Sequence, residues 1–136
     1  MKNLLLLLSI FFFISCTPVG ETVEEIPLTE TDVRLEFYTQ ESNYDEIEFS
    51  YYDNKTDKFN NETLVFNYDN SGNPLPLIVN WEDFGYKYVR GEAYRNNFSI
   101  AELTLKLYVN DELVYEETQA GNSNAYARVV FDHTIN

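Results

Sequence analysis

The sequence has little cysteine, little histidine and little positive charge. Its 136 residues include one Cys and one His, and nine Lys and Arg stand against 23 Asp and Glu, a net charge of −14. One cysteine excludes an internal disulfide framework and a Cys-rich zinc site. The acidic balance argues against binding to DNA or RNA and against docking of the folded part on anionic lipid, since both depend on clustered Lys and Arg. The length indicates one domain.

Motifs for catalysis are also missing. The sequence has no Gly-x-Ser-x-Gly elbow, no Gly-rich phosphate loop and no His-Glu-x-x-His motif. Its one histidine, His133, lies three residues from the C-terminus, where we expect a frayed end rather than a catalytic base. Glycosidases use paired carboxylates, but among 23 acids such a pair carries no information. We therefore predict that the protein is not an enzyme.

What the sequence does have is an apolar run at its N-terminus. Lys2 precedes apolar stretches at residues 4–8 and 10–14, and Ser15-Cys16 closes the segment. A positive charge, an apolar stretch and a small residue, in that order, are typical of a secretory signal. The run is too short to span a hydrocarbon core, which needs ~20 residues. We predict a cleaved signal peptide over residues 1–15.

The end of this segment, Phe13-Ile14-Ser15-Cys16, resembles a bacterial lipobox in the relaxed form of Bacteroidetes, where Phe or Ile replaces Leu. The resemblance implies that Cys16 becomes the mature N-terminus and carries a diacylglycerol and a further acyl chain such as palmitate. Each buried CH₂ contributes about 0.8 kcal/mol, so two or three chains anchor a protein. Thr17 follows Cys16, whereas an Asp would resemble an inner-membrane retention signal. We therefore expect the cell outer membrane, with the domain periplasmic or surface-exposed.

The next segment is expected to be a tether. Cleavage before Cys16 removes fifteen residues, with Lys2 and no acid among them, which leaves 121 residues with eight basic and 23 acidic side chains, a net charge of −15. Residues 16–32 hold two prolines, one glycine and five acids but few large apolar side chains. This composition is typical of a flexible acidic tether. We predict that the folded domain covers residues 33–136.

From Val33 onward, apolar and polar residues alternate, as in strands with one buried face. Turn-forming segments separate these stretches at a spacing of about 8–12 residues, which indicates an all-β, antiparallel, Ig-like β-sandwich of seven or eight strands. We expect a hairpin turn at Asn110-Asp111 and a bulge or a close backbone approach at Gly91. The predicted strands cover residues 33–38, 47–52, 64–68, 75–81, 86–94, 101–109, 113–118 and 125–132.

Several of these stretches together resemble small bacterial lipoproteins with an MmpS-like β-sandwich. The similarity covers roughly residues 33–130 and lies in the opening strand VRLEFY, residues 47–52, Trp81, the hairpin LTLKLYVNDELV at residues 103–114, and Ala125-Tyr126-Ala127. The resemblance implies a β-sandwich fold. Because MmpS proteins accompany lipid transporters, it also implies a role as an envelope transport accessory protein.

Aromatic residues are abundant, with 11 Tyr, 10 Phe and one Trp. Alternation places Tyr38, Tyr52 and Tyr108 on outward faces. Exposed rings can stack on sugars or anchor a protein partner, because they bring apolar area at low entropic cost. Cross-strand pairing and core filling would use the same residue types and are the more common role. The candidate ligand-binding residues are Trp81, Tyr86 and Tyr88.

Two loops carry oxygen ligands of the kind that calcium prefers. One holds Asp53, Asp57 and Glu62, and the other holds Asp69, Asn70 and Asn73. Neither has the EF-hand spacing, and turns rich in Asp and Asn are more common without a metal. We therefore predict no metal and no cofactor beyond the acyl anchor, with calcium as the alternative.

These features predict a non-enzymatic, lipid-anchored cell-envelope protein that binds or scaffolds another envelope component. A first alternative is an accessory lipoprotein that binds a surface glycan at the three candidate aromatic residues, and a second is the transport accessory role. The expected partners are the membrane, through the anchor, and an envelope protein or glycan, with no nucleic acid.

Overall fold

The computed structural model describes residues 31–136, which form eight β-strands. The predicted signal peptide, Cys16 and most of the predicted tether lie outside the described residues. No helix occurs among residues 31–136, and so none there could cross a membrane. The strands are β1 Val33–Thr39, β2 Glu46–Asp53, β3 Lys58–Val65, β4 Leu77–Trp81, β5 Tyr88–Arg95, β6 Glu102–Val109, β7 Glu112–Ala120 and β8 Arg128–Thr134.

The strands form two antiparallel four-stranded sheets. The first has the order β4-β1-β6-β7 and the second the order β3-β2-β5-β8. Among the described strands only β2–β3 and β6–β7 are neighbours in both sequence and sheet, so the other connections cross between the sheets. Both sheets therefore combine strands from the two halves of the domain. The prediction of an antiparallel β-sandwich is confirmed.

One core lies between the sheets and is filled from alternate strand positions. Phe37 of the first sheet meets Phe49 of the second edge to face, with 5.4 Å between ring centroids. Phe49 also stacks on Phe131 at 6.4 Å. The buried apolar side chains of the core are Val33, Leu35, Phe37, Ile47, Phe49, Phe66, Val89, Ala93, Leu103, Leu105, Leu107, Ala127, Val129 and Phe131.

The third strand differs from its prediction. It was expected at residues 64–68, but β3 begins at Lys58 and ends at Val65, and Tyr68 forms only an isolated bridge with Pro74. β3 lies at a sheet edge, and most of its side chains are exposed. An edge strand needs backbone pairing on one side only, so its residues need not alternate between apolar and polar. The apolar pattern therefore marked the wrong segment.

The C-terminus is also more ordered than expected. His133 belongs to β8 and pairs with Val89 of β5, so the prediction of a frayed end is wrong. The amide of Ile135 donates to the carbonyl of Lys87 at 2.8 Å. Backbone pairing with β5 holds the strand in place up to Thr134.

Two local predictions from glycine and turn residues hold. At Gly91 the close backbone approach is present, because a Cβ there would meet the carbonyl of Ser50 and would lie 2.6 Å from Cζ of Phe131. The predicted alternative, a bulge, is not present, because the pairing of β5 with β2 and with β8 keeps its register at Gly91. Asn110 and Asp111 join β6 to β7, with φ of 50° and 65°. Positive φ at both central residues is what a type I′ hairpin turn requires.

The end of β5 carries a buried ionic cluster, which consists of Arg95, Asp45, Glu41 and Ser99 and is called the Arg95 cluster below. Nε of Arg95 lies 2.6 Å from Oδ2 of Asp45, and both side chains are fully buried. The guanidinium also donates to Glu41 and Ser99, each at 2.8 Å. Hydrogen bonds from Ser99 and then from Arg95 lower the pKa of Glu41. The cluster joins the β1–β2 loop to the β5–β6 loop.

Candidate functional site

Several loops meet at the end of the sandwich where β1 begins. The amide of Phe84 donates to the carbonyl of Thr31 at 2.7 Å. Asp32 and Asn110 exchange two hydrogen bonds of 2.9 Å, one from each backbone N–H. These bonds hold the β4–β5 loop and the β6–β7 turn against the segment that leads into β1.

A cleft of about 330 Å³ opens at this end, and it is called the Trp81 cleft below. Ligand sites of small molecules usually have volumes of about 300–1,000 Å³. The end of β2 contributes residues from the second sheet, and the end of β4 contributes residues from the first. The lining residues are Tyr51, Tyr52, Asp53, Asn54, Lys55, Asn80, Trp81, Glu82, Asp83, Phe84 and Tyr86.

The ring of Trp81 is both part of the core boundary and a wall of the cleft. It stacks on Phe84 with 5.7 Å between ring centroids and on Phe49 with 6.4 Å. Tyr51 lies 5.3 Å away at a tilt of 46°, and Tyr86 meets Phe84 edge to face at 5.6 Å. These contacts fix the indole, because the neighbouring rings restrict its rotation. The cleft therefore has a rigid aromatic wall.

Carboxylates give the cleft a negative charge. Asp53 accepts hydrogen bonds of 2.9 Å from the backbone of Lys55 and the hydroxyl of Thr56, and these bonds lower the pKa of its carboxyl. The exposed carboxylates of Glu82 and Asp83 accept no hydrogen bond and form no ion pair within residues 31–136. Lys55 is the one basic side chain among the described lining residues. The lining thus carries three negative charges and one positive charge.

The outward-facing tyrosines carry cations over their rings. Tyr38, Tyr52 and Tyr108, which the alternation placed on outward faces, each have a basic group within about 6 Å of the ring centroid, the range of a cation–π contact. The pairs are Arg34 over Tyr108 at 4.3 Å, Lys106 over Tyr38 at 5.4 Å and Arg90 over Tyr52 at 5.7 Å. These rings pack against side chains of their own sheet and are not free platforms.

The three candidate ligand-binding residues do not all lie together. Trp81 and Tyr86 line the Trp81 cleft. Tyr88 is an exposed residue of β5 with the guanidinium of Arg90 5.4 Å from its ring centroid, and it is not among the lining residues. Its carbonyl oxygen accepts a hydrogen bond of 3.3 Å from Asn54. The side chain of Cys16 lies outside the described residues.

The candidate calcium ligands bond to protein donors. Asp57 accepts a hydrogen bond from the hydroxyl of Tyr52, and Glu62 accepts one from Tyr51 at 3.0 Å. Asp69 accepts bonds from the backbone of Ser71 and from both the backbone and the side chain of Asn73. In the described part of the chain, no three His, Cys, Asp or Glu side chains are placed to hold a metal ion together.

Sequence reasoning missed several residues of the cleft. Glu82, Asp83 and Phe84 follow Trp81 directly, so an aromatic and acidic segment at a strand end was the available signal. Asp83 has φ of 51°, a conformation that Asp tolerates better than most residues. Asp53 had no such signal, because it reaches the cleft from a different sheet.

No family model matches this chain, and no curated protein matches it in sequence.

Proposed function

We propose that the protein is a non-enzymatic, lipid-anchored component of the cell envelope, and that its β-sandwich domain binds another envelope component in the Trp81 cleft. The observation that carries the binding proposal is the rigid aromatic wall of the cleft, formed by Trp81, Phe84 and Tyr86. Aromatic side chains already held in place contribute contact area without a large loss of entropy on binding. The lipid anchor is supported by the sequence that ends at Cys16.

The anchor proposal is tested by replacing Cys16 with alanine. Without the thiol no thioether can form, so we expect labelling by radioactive palmitate to disappear and the protein to leave the membrane fraction. Thr17→Ala is the matched control, because it changes the next residue and keeps the thiol. Labelling of the Cys16→Ala protein at the level of the control would contradict the anchor.

The binding proposal is tested by crosslinking in intact cells. A photoreactive amino acid at Tyr86 lies in the Trp81 cleft, whereas the same group at Ile100 lies in the exposed β5–β6 loop at the other end of the domain. We expect an adduct of defined mass at Tyr86 that is absent at Ile100. Equal adducts at both positions, or none at Tyr86, would count against the cleft as the binding site.

Glycan capture is the second candidate function. Trp81 and Tyr86 share the cleft with the side-chain amides of Asn54 and Asn80, and sugars combine apolar faces with hydroxyl groups that need hydrogen-bond partners. A glycan array probed with the mature lipoprotein in detergent tests this function. Selective binding that the Asn80→Ala substitution weakens would support it, and flat binding across all sugars would exclude it.

A further inference from the structure

We propose that the Trp81 cleft binds its ligand through a positively charged alkylammonium group, either a protonated amine or a quaternary ammonium. This inference rests on the proposed binding function and specifies the chemistry of the ligand. It follows from two independent features of the cleft, its charge and an indole, that of Trp81, over which no basic side chain of the described residues lies.

The charge of the lining favours a cation. Glu82 and Asp83 have no partner of opposite charge within the described residues, and Asp53 is ionised at neutral pH. An anionic ligand would meet three carboxylates and one ammonium group, whereas a cation would be attracted by the net charge. The two unpaired carboxylates can still exchange water for a cationic partner.

The rings of the cleft favour a cation for a different reason. Outside the cleft, basic side chains lie over Tyr38, Tyr88 and Tyr108. Within the cleft, the guanidinium of Arg90 lies 5.7 Å from the ring centroid of Tyr52. Among residues 31–136 no basic side chain lies over Trp81, although Trp offers the strongest attraction to a cation of any aromatic residue. An aromatic site next to carboxylates, with no basic side chain of the described residues over its tryptophan, suits a cation from outside the chain.

Lys55 is the one basic side chain among the described lining residues, so its ammonium group would compete with a cationic ligand for the carboxylates of the cleft. It lines the cleft, yet its ammonium group makes no cation–π contact with a ring of the described domain. Its charge should repel a cationic ligand. Removing it should therefore increase the affinity for a cation, which a merely apolar cleft would not show.

The experiment uses the fluorescence of Trp81, which is the single tryptophan of the chain. The mature lipoprotein in detergent is titrated with choline, with its neutral isostere 3,3-dimethyl-1-butanol, and with anionic 3,3-dimethylbutanoate. We expect choline to bind at least about tenfold more tightly than the neutral isostere, and the anion to bind more weakly still. The preference should decrease as the salt concentration rises.

Three variants separate the site from the overall charge. The double variant Glu82→Gln/Asp83→Asn should reduce choline affinity at least about threefold, and Lys55→Ala should raise it. Glu102→Gln changes a single charge at the start of β6, which lies at the opposite end of the first sheet from Trp81, and it should leave the affinity unchanged.

Three outcomes of these titrations would overturn the alkylammonium proposal. Equal affinity for choline and its isostere would show a cleft that binds without selecting charge, and the proposed binding function would survive. Equal weakening by Glu102→Gln would show attraction to the whole acidic domain. If no probe changes the emission of Trp81, the proposal fails, and crosslinking at Tyr86 still decides the binding function independently.

Discussion

Replacing Arg95 with methionine is expected to lower the free energy of unfolding by about 3–5 kcal/mol. The guanidinium of Arg95 and the carboxylate of Asp45 are 2.6 Å apart and fully buried. Methionine keeps much of the side-chain volume but removes the charge, so Asp45 stays in the interior without its counter-ion. The carbonyl of Ala101 also loses the shorter of its two hydrogen bonds, the one of 2.8 Å from Arg95, and keeps the one of 3.5 Å from the amide of Gly121. Urea denaturation followed by circular dichroism measures the change.

A surface ion pair provides the control for this prediction. Arg128 pairs with Glu92, and its side chain is 58% exposed, so Arg128→Met should cost less than about 1 kcal/mol. The double variant Arg95→Met/Asp45→Leu removes both buried charges and should recover part of the lost stability, because no unpaired charge is left inside. If Arg95→Met and Arg128→Met had equal effects, the Arg95 cluster would not be a main source of stability.

The Arg95 cluster and the Trp81 cleft lie at different ends of the domain. Tyr88, at the start of β5, accepts a hydrogen bond from the lining residue Asn54. Arg95 follows seven residues later at the end of the same strand, a distance of about 23 Å. The Arg95→Met protein, under conditions where it is folded, should therefore keep its ligand affinity. Stability and binding can thus be tested separately.

Replacing Phe49 with alanine should lower the free energy of unfolding by about 3–5 kcal/mol. The ring is 1% exposed and contacts aromatic neighbours from both sheets, at centroid distances of 5.4 Å to Phe37 and 6.4 Å to Phe131. Alanine would leave a cavity at the centre of the core, and the surrounding strands can close it only in part. The midpoint of urea denaturation measures the loss.

The same substitution at Phe59 is the matched control. Phe59 is 56% exposed on the edge strand β3 and meets Tyr52 edge to face at 5.3 Å, so Phe59→Ala should lower the stability by about 1 kcal/mol or less. Phe49→Ala should also shift the emission of Trp81 to longer wavelength, because Phe49 supports the indole from the core side. An unshifted emission in a destabilised Phe49→Ala protein would show that the core and the cleft wall are not coupled.

Alternation was sufficient to predict the strands that fill the core. Val33, Leu35 and Phe37 in β1, and Leu103, Leu105 and Leu107 in β6, are apolar and buried at alternate positions, because successive side chains of a strand point to opposite faces. The same reasoning failed at β3, whose polar residues pair through the backbone at an edge. It also missed Arg95, which occupies an inward position of β5 in phase with the buried residues Val89 and Ala93. A charged residue at an apolar position has no explanation until its partner is known.

The candidate site was likewise predictable from the sequence in part. The aromatic residues Trp81 and Tyr86 were recognisable from residue type, and the acidic segment after Trp81 was at least visible in the sequence. The outward tyrosines were placed on the correct faces, but their cation partners come from neighbouring strands. Which aromatic rings are covered and which are available to a ligand therefore depends on strand pairing.

By itself the sequence determined the all-β class, the acidic character of the chain and the expectation of a lipid anchor at Cys16. These properties depend on composition and on patterns a few residues long. Only the tertiary structure decided that Asp45 and Arg95 form a buried pair, and that Asp53 shares a cleft with Trp81 and Asp83. The physical reason is that most connections in this sandwich cross between the sheets, so residues far apart in the chain become neighbours only when both sheets have formed.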